Sequence, residues 1–62
     1  MKLNKTDELV ISALKKEGKP LTLQDLCEKT GESSKKIFKS LRKLFENEMI
    51  DTKERKYSLL PS

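Results

Sequence analysis

Apolar residues recur at helical spacing in three stretches of this chain and then give way to alternation. In the longest stretch, Ser33 to Ile50, they are Ile37, Phe38, Leu41, Leu44 and Phe45. That spacing predicts an amphipathic helix over residues 34–48 with one buried stripe. At about 100° per residue, Lys36, Lys39 and Lys43 fall near the middle of the opposite face, with Lys35 and Ser40 at its flanks. From Ser33 to Lys43 the chain carries five basic residues, Arg42 included, and no acid.

Two helices are predicted before it. Leu9, Val10, Ala13 and Leu14 form a stripe over residues 6–17, with Ile11 on a flank. Thr6 is the expected cap and Asn4 its competitor; Asp7 and Glu8 suit the positive end of the helix dipole, Lys15 and Lys16 the negative end. Gly18 can take the left-handed conformation that closes a helix. Pro20 permits at most an edge strand through Lys19-Pro20-Leu21. Thr22 then caps a second helix over residues 23–30, with Asp25 in a capping box and Leu23, Leu26 and Cys27 facing inward. Gly31 stops that helix and Ser33 caps the next, leaving the amides of Ser34, Lys35 and Lys36 as an anion-binding helix start.

A short helix, a glycine turn and a longer helix make a helix-turn-helix. After Glu48 the period changes to two. Ile50 and Thr52 share one face and Tyr57 and Leu59 another, which predicts a hairpin over residues 49–60 turning at Lys53-Glu54-Arg55, with Pro61 ending the pairing. The expected fold is mainly α with a small β-hairpin, in the order α-β-α-α-β-β, as one domain over residues 1–62.

Composition narrows the chemistry. Cys27 is the lone cysteine and histidine is absent, so a disulfide framework and the usual Cys/His zinc site are both excluded. Cys27 reads as a small core residue. The familiar acid–base, nucleophile and phosphate-loop motifs are missing, and neither catalysis nor a cofactor, metal or small-molecule substrate is expected. No apolar run nears the roughly 20 residues of a membrane span, and the N-terminal residues lack the apolar core of a secretory signal. A soluble, intracellular, cytoplasmic protein is expected. The net charge is +4, and it is unevenly placed: residues 1–31 hold six basic and five acidic groups, residues 32–62 eight and five. The excess lies with the third helix and the hairpin, which points to a polyanionic partner.

The element order resembles the winged helix-turn-helix domain. Leu21-Thr22-Leu23-Gln24-Asp25-Leu26 with Gly31 is similar to the second-helix segment of bacterial and archaeal arsenical-repressor and antibiotic-resistance regulators. Leu41-Arg42-Lys43-Leu44 followed by Met49-Ile50 looks like the end of their recognition helix. This resemblance implies that Ser34, Lys35, Lys36, Lys39, Ser40 and Lys43 face DNA and that Lys53, Arg55 and Lys56 form the wing; Ser33, the cap of the anion-binding helix start, joins the expected DNA-binding residues. The chain departs from the pattern at Phe38, where the family often has a small polar residue, and at Glu48, where it often has glycine. The wing is short and lacks glycine, and these residues include neither the additional dimerising helices nor the metal ligands of some members.

The expected function is binding of double-stranded DNA in transcriptional regulation, with affinity carried mainly by lysine–phosphate contacts. The alternative is a winged helix that docks on protein or RNA in a replication, transcription or translation assembly. A homodimer or protein partner would use the apolar rim near Phe38, Leu59 and Leu60. The blander readings are a solvated lysine face, edge protection by the hairpin cations, a core-edge Phe38 and a Tyr57 that anchors the wing.

Overall fold

The computed structural model describes residues 2–60. Its elements are α1 (Lys5–Glu17), β1 (Leu21–Thr22), α2 (Leu23–Thr30), α3 (Ser34–Glu46), β2 (Ile50–Lys53) and β3 (Lys56–Leu59). Three helices are braced by a three-stranded antiparallel sheet in the order β1-β3-β2, whose first strand comes between α1 and α2 and whose other two follow α3. This is the winged-helix layout that the pattern predicted.

Local chemistry sets each helix boundary. Asn4, not Thr6, caps α1: its Oδ1 accepts the Asp7 amide at 2.8 Å, and Asp7 Oδ2 accepts the Asn4 amide at 3.0 Å. A reciprocal box needs an acceptor three residues after the cap. Asn4 has Asp7 there, whereas Thr6 has Leu9. The same device starts α2, where Thr22 Oγ1 accepts the Asp25 amide at 3.1 Å and Asp25 accepts the Thr22 amide at 3.2 Å. The Thr22 amide and hydroxyl hold the Asp25 carboxyl below the usual carboxylate value. Gly18 and Gly31 close α1 and α2 at φ 64° and 75°, and their amides reach Leu14 and Cys27 carbonyls.

Helix α3 stops at Glu46, two residues earlier than the 34–48 expected. Asn47 donates from its side chain to the Lys43 carbonyl at 2.8 Å, and the Met49 amide returns to the Leu44 carbonyl at 2.9 Å. Between them Glu48 sits at φ 57°, the left-handed region that disfavours a side chain. Glu48→Gly is therefore expected to stabilise the domain by about 0.5–1 kcal/mol, strain relief exceeding the added unfolded-chain entropy. Chemical denaturation of Glu48→Gly beside Glu48→Ala checks this; equal midpoints for the two would refute it.

In the sheet, Leu21 pairs with Tyr57 and Thr22 with Lys56 on one side of β3. On the other side Ile50 pairs with Leu59 and Lys53 with Lys56. Thr22 thus closes the sheet and opens α2 at once, and β1 is the short edge strand that Pro20 permitted. Glu54 and Arg55, both at positive φ (53° and 66°), form the two-residue loop of a tight hairpin turn without the usual Asn-Gly. Pro61 lies outside the described residues.

The core joins Val10 and Leu14 of α1, Leu21 of β1, Leu26 of α2, Ile37, Leu41 and Leu44 of α3, and Ile50 of β2. Cys27, Tyr57 and Ile11 pack against it, partly buried. Leu9, expected in the α1 stripe, instead lines a hollow together with Lys29 and Thr30 of α2. The buried positions of α1 are Asp7, Val10 and Leu14, so the stripe is turned toward a carboxylate that the apolar pattern does not register. Glu17 at the end of α1 pairs with Lys29 of α2, and that ammonium lowers the Glu17 carboxyl pKa. Among the described residues no helix is long and apolar enough to cross a membrane.

Candidate nucleic-acid interface

The third helix presents its basic residues on a face slightly different from the expected one. Ile37, Ser40, Leu41 and Leu44 are buried, whereas Phe38 and Phe45 are 55% and 49% exposed. Relative to a stripe centred on all five apolar residues, the buried centre is turned by about 50°, taking 100° per residue. Ser40 is therefore in the interior and does not face a groove. Phe45 leaves the core, and Phe38 passes beyond the core edge into solvent. Leu44→Ala is expected to cost about 2–4 kcal/mol, and Phe45→Ala under about 1 kcal/mol. Comparison of their denaturation midpoints checks the rotation; similar losses from both would contradict it.

Turning the stripe moves the centre of the exposed face toward Lys35, Lys39 and Arg42. Arg42 was not among the expected contact residues. Its side chain is 75% exposed and meets Glu46 one turn on, at 3.4 Å. Its place in the acid-free run was visible in the sequence, but a stripe centred to include Phe38 and Phe45 put it at a flank. Lys35 and Lys39 are also exposed.

Ser33 caps α3 through a long 3.4 Å contact from the Lys36 amide. The first-turn amides of Ser34 and Lys35 have no intrahelical partner by the geometry of a helix start. Lys36 reaches back to Glu32 at 3.8 Å with its side chain 68% exposed, a pair that solvent makes weak. Lys36, Lys39 and Lys43 line one cleft with Asn4 and Thr6, about 390 Å³ in volume, between α3 and the start of α1.

Lys43 is held differently from the others. Its Nζ lies 2.8 Å from Asp7 Oδ2 and 3.0 Å from the Lys2 carbonyl, so it bolts α3 to the start of α1. Asp7 is fully buried. Burial works to raise its carboxyl pKa, but the Lys43 ammonium, the Asn4 amide and the neighbouring Ser40 outweigh burial and hold it below the ordinary carboxylate value. Asp7 Oδ1 is enclosed without a hydrogen bond; the Ser40 hydroxyl beside the carboxylate helps to keep it charged but does not reach Oδ1 in good geometry. Lys43, which the helical spacing places on the face opposite the buried stripe, is therefore part of the helix–helix joint.

The second basic group is the hairpin tip. Lys53, Arg55 and Lys56 are all exposed, and Lys53 stands directly opposite Lys56 across the strands. Like charges in that relation are destabilising. Exposed cations thus stand in two places, along α3 and at the hairpin tip. No protein-family model, curated protein or solved structure matches the chain.

Proposed function

We propose that the chain binds double-stranded DNA, with α3 entering the major groove and the hairpin gripping adjacent phosphates. The observation that carries this reading is the exposed basic face of α3, where Lys35, Lys36, Lys39 and Arg42 precede the first acid of the helix. A helix needing only solubility would mix its signs. The opposed Lys53 and Lys56 support the reading, since an anion between them would relieve a like-charge contact. The resemblance to arsenical-repressor and antibiotic-resistance regulators points to transcriptional regulation as the setting. Lysine outnumbers arginine on the reading face, which favours phosphate contact over base discrimination.

Fluorescence titration of labelled DNA and RNA duplexes, repeated at rising salt, tests the proposal. With four to six phosphate contacts, the slope of log K against log salt is expected near −4 to −5, or about −0.9 for each contact. The absence of saturable DNA binding at low salt, or a clear preference for the RNA duplex, would sink it.

A further inference from the structure

The three large apolar side chains that are exposed among the described residues, Phe38, Phe45 and Leu60, line two adjoining hollows on one side of α3. Phe38, Phe45, Thr52 and Tyr57 bound a groove of about 320 Å³ between α3 and the sheet. Phe45 is shared with a second hollow bounded by Glu46, Glu48, Asp51 and Leu60. Scattered exposed apolar residues need no explanation, but two aromatic rings and a leucine along one trough mark an interaction surface.

The charge around the trough identifies its occupant. In a chain of net charge +4, the second hollow is bordered by three acids and no base. It also lies at the C-terminal end of α3, where the helix dipole adds negative potential. Arg42, the cation on the first hollow, is opposed by Glu46. A nucleic acid would be repelled from this end of the helix.

Strand addition is also disfavoured. In a two-residue hairpin the pair flanking the turn exchanges hydrogen bonds and the next pair does not. The Thr52 amide therefore faces the open edge of β2, and there the Asp51 carboxylate accepts it at 2.9 Å. The edge is blunted, while the trough beside it is open. Binding by side chains inserted into a groove remains, the mode of an amphipathic helix.

We infer that the Phe38–Phe45–Leu60 trough docks a basic amphipathic helix of another protein, its apolar side chains on the two rings and its cations on Glu46, Glu48 and Asp51. The trough lies apart from the lysine cleft beside α1 but shares Arg42 with the α3 face proposed for DNA; its acidic half, Glu46, Glu48 and Asp51, carries the inference independently of DNA binding.

The test uses the full chain and two synthetic helix-forming peptides that share leucines at i, i+4 and i+7. One carries lysines at the remaining positions, the other glutamates. Amide shifts in two-dimensional NMR are expected to change near Phe38, Phe45, Glu46 and Leu60 with the lysine peptide and not with the glutamate peptide. Phe45→Ser, at a half-exposed position, is expected to weaken binding about tenfold or more. Glu46→Lys/Glu48→Lys/Asp51→Lys is expected to reverse the preference between the peptides. Equal binding of both peptides, binding of neither, shifts confined to other surfaces, or concentration-dependent pairing of the chain through Phe45 would each overturn the inference. A folded spectrum of each variant makes its result count.

Discussion

Lys43→Glu is expected to unfold the domain, although the residue is a lysine on a basic helix face. Its ammonium is the ionic partner of a fully buried carboxylate, at 2.8 Å from Asp7 Oδ2. Taking one member from such a pair strands the other charge in a low-dielectric site, at a cost of 3–5 kcal/mol when both are buried. The Lys43 side chain is 37% exposed, so solvent reduces this to about 2–3 kcal/mol for Lys43→Met. Glutamate adds repulsion beside a stranded carboxylate. A single small core rarely supplies more than about 3–5 kcal/mol of net stability, and the combined loss in Lys43→Glu is expected to exhaust it.

Thermal melts of Lys43→Glu, Lys43→Met and Lys39→Glu separate this from a general effect of charge. Lys39 shares the cleft without an ion pair to Asp7, and its reversal is expected to leave the melting temperature nearly unchanged. If Lys43→Glu melts with the wild type, the Asp7 joint is not the brace described above.

Acid supplies a second readout with a definite sign. Asp7 has a folded pKa below its unfolded value. Its contribution to stability is therefore present above the unfolded carboxylate pKa, about 3.9, and is lost as pH falls through the folded value. In Lys43→Met, burial without the ammonium favours the protonated acid. The stability gap between wild type and Lys43→Met is expected to be widest near neutral pH and to narrow below about pH 4. A gap independent of pH would mean that Lys43 contributes packing only.

The second large effect concerns binding. Combined reversal of Lys35, Lys39 and Arg42 to glutamate is expected to abolish DNA binding at moderate salt while the melting temperature changes little. Each reversal replaces a phosphate attraction with a repulsion on the exposed face of α3. A single Lys39→Glu change is expected to weaken binding about 10- to 50-fold at low salt, and to reduce the salt slope by about one contact. Lys43 cannot be used in this way, because its loss of binding would follow from loss of fold. If the triple variant binds DNA as the wild type does, the α3 face is solvated surface and the function lies elsewhere.

Arg42 is the informative member of that set. A helical-wheel stripe that includes Phe38 and Phe45 puts Arg42 at its flank, whereas the observed burial puts it near the centre of the exposed face. The wheel averages hydrophobicity and has no knowledge of the neighbouring elements. The joint with α1 draws Ser40 inward, where a small hydroxyl sits beside the Asp7 carboxylate, and it turns both phenylalanines toward the open side of the sheet. Asp7 was hidden for a related reason. It reads as a dipole-matched acid at a helix start, which it is; that it is also buried depends on a lysine 36 residues later in the chain. Capping is more legible, since a box is written within four residues: Asp7 stands three positions after Asn4, and Thr6 has no such partner.

The sequence by itself determined the elements, their order and their limits to within two residues. Those features arise from short-range causes: helical period, capping side chains, two glycines closing helices and alternation in the hairpin. Only the tertiary structure decided which sector of α3 is buried, which lysine is bolted to the scaffold and which aromatic rings stay in solvent. These depend on how α1 and the sheet cross α3, and local spacing carries no record of that crossing. The basic helix with which the chain first declares itself is thus two surfaces, a cationic face and an apolar trough with an acidic end, joined to the scaffold by its core residues and by the part-buried Lys43–Asp7 pair.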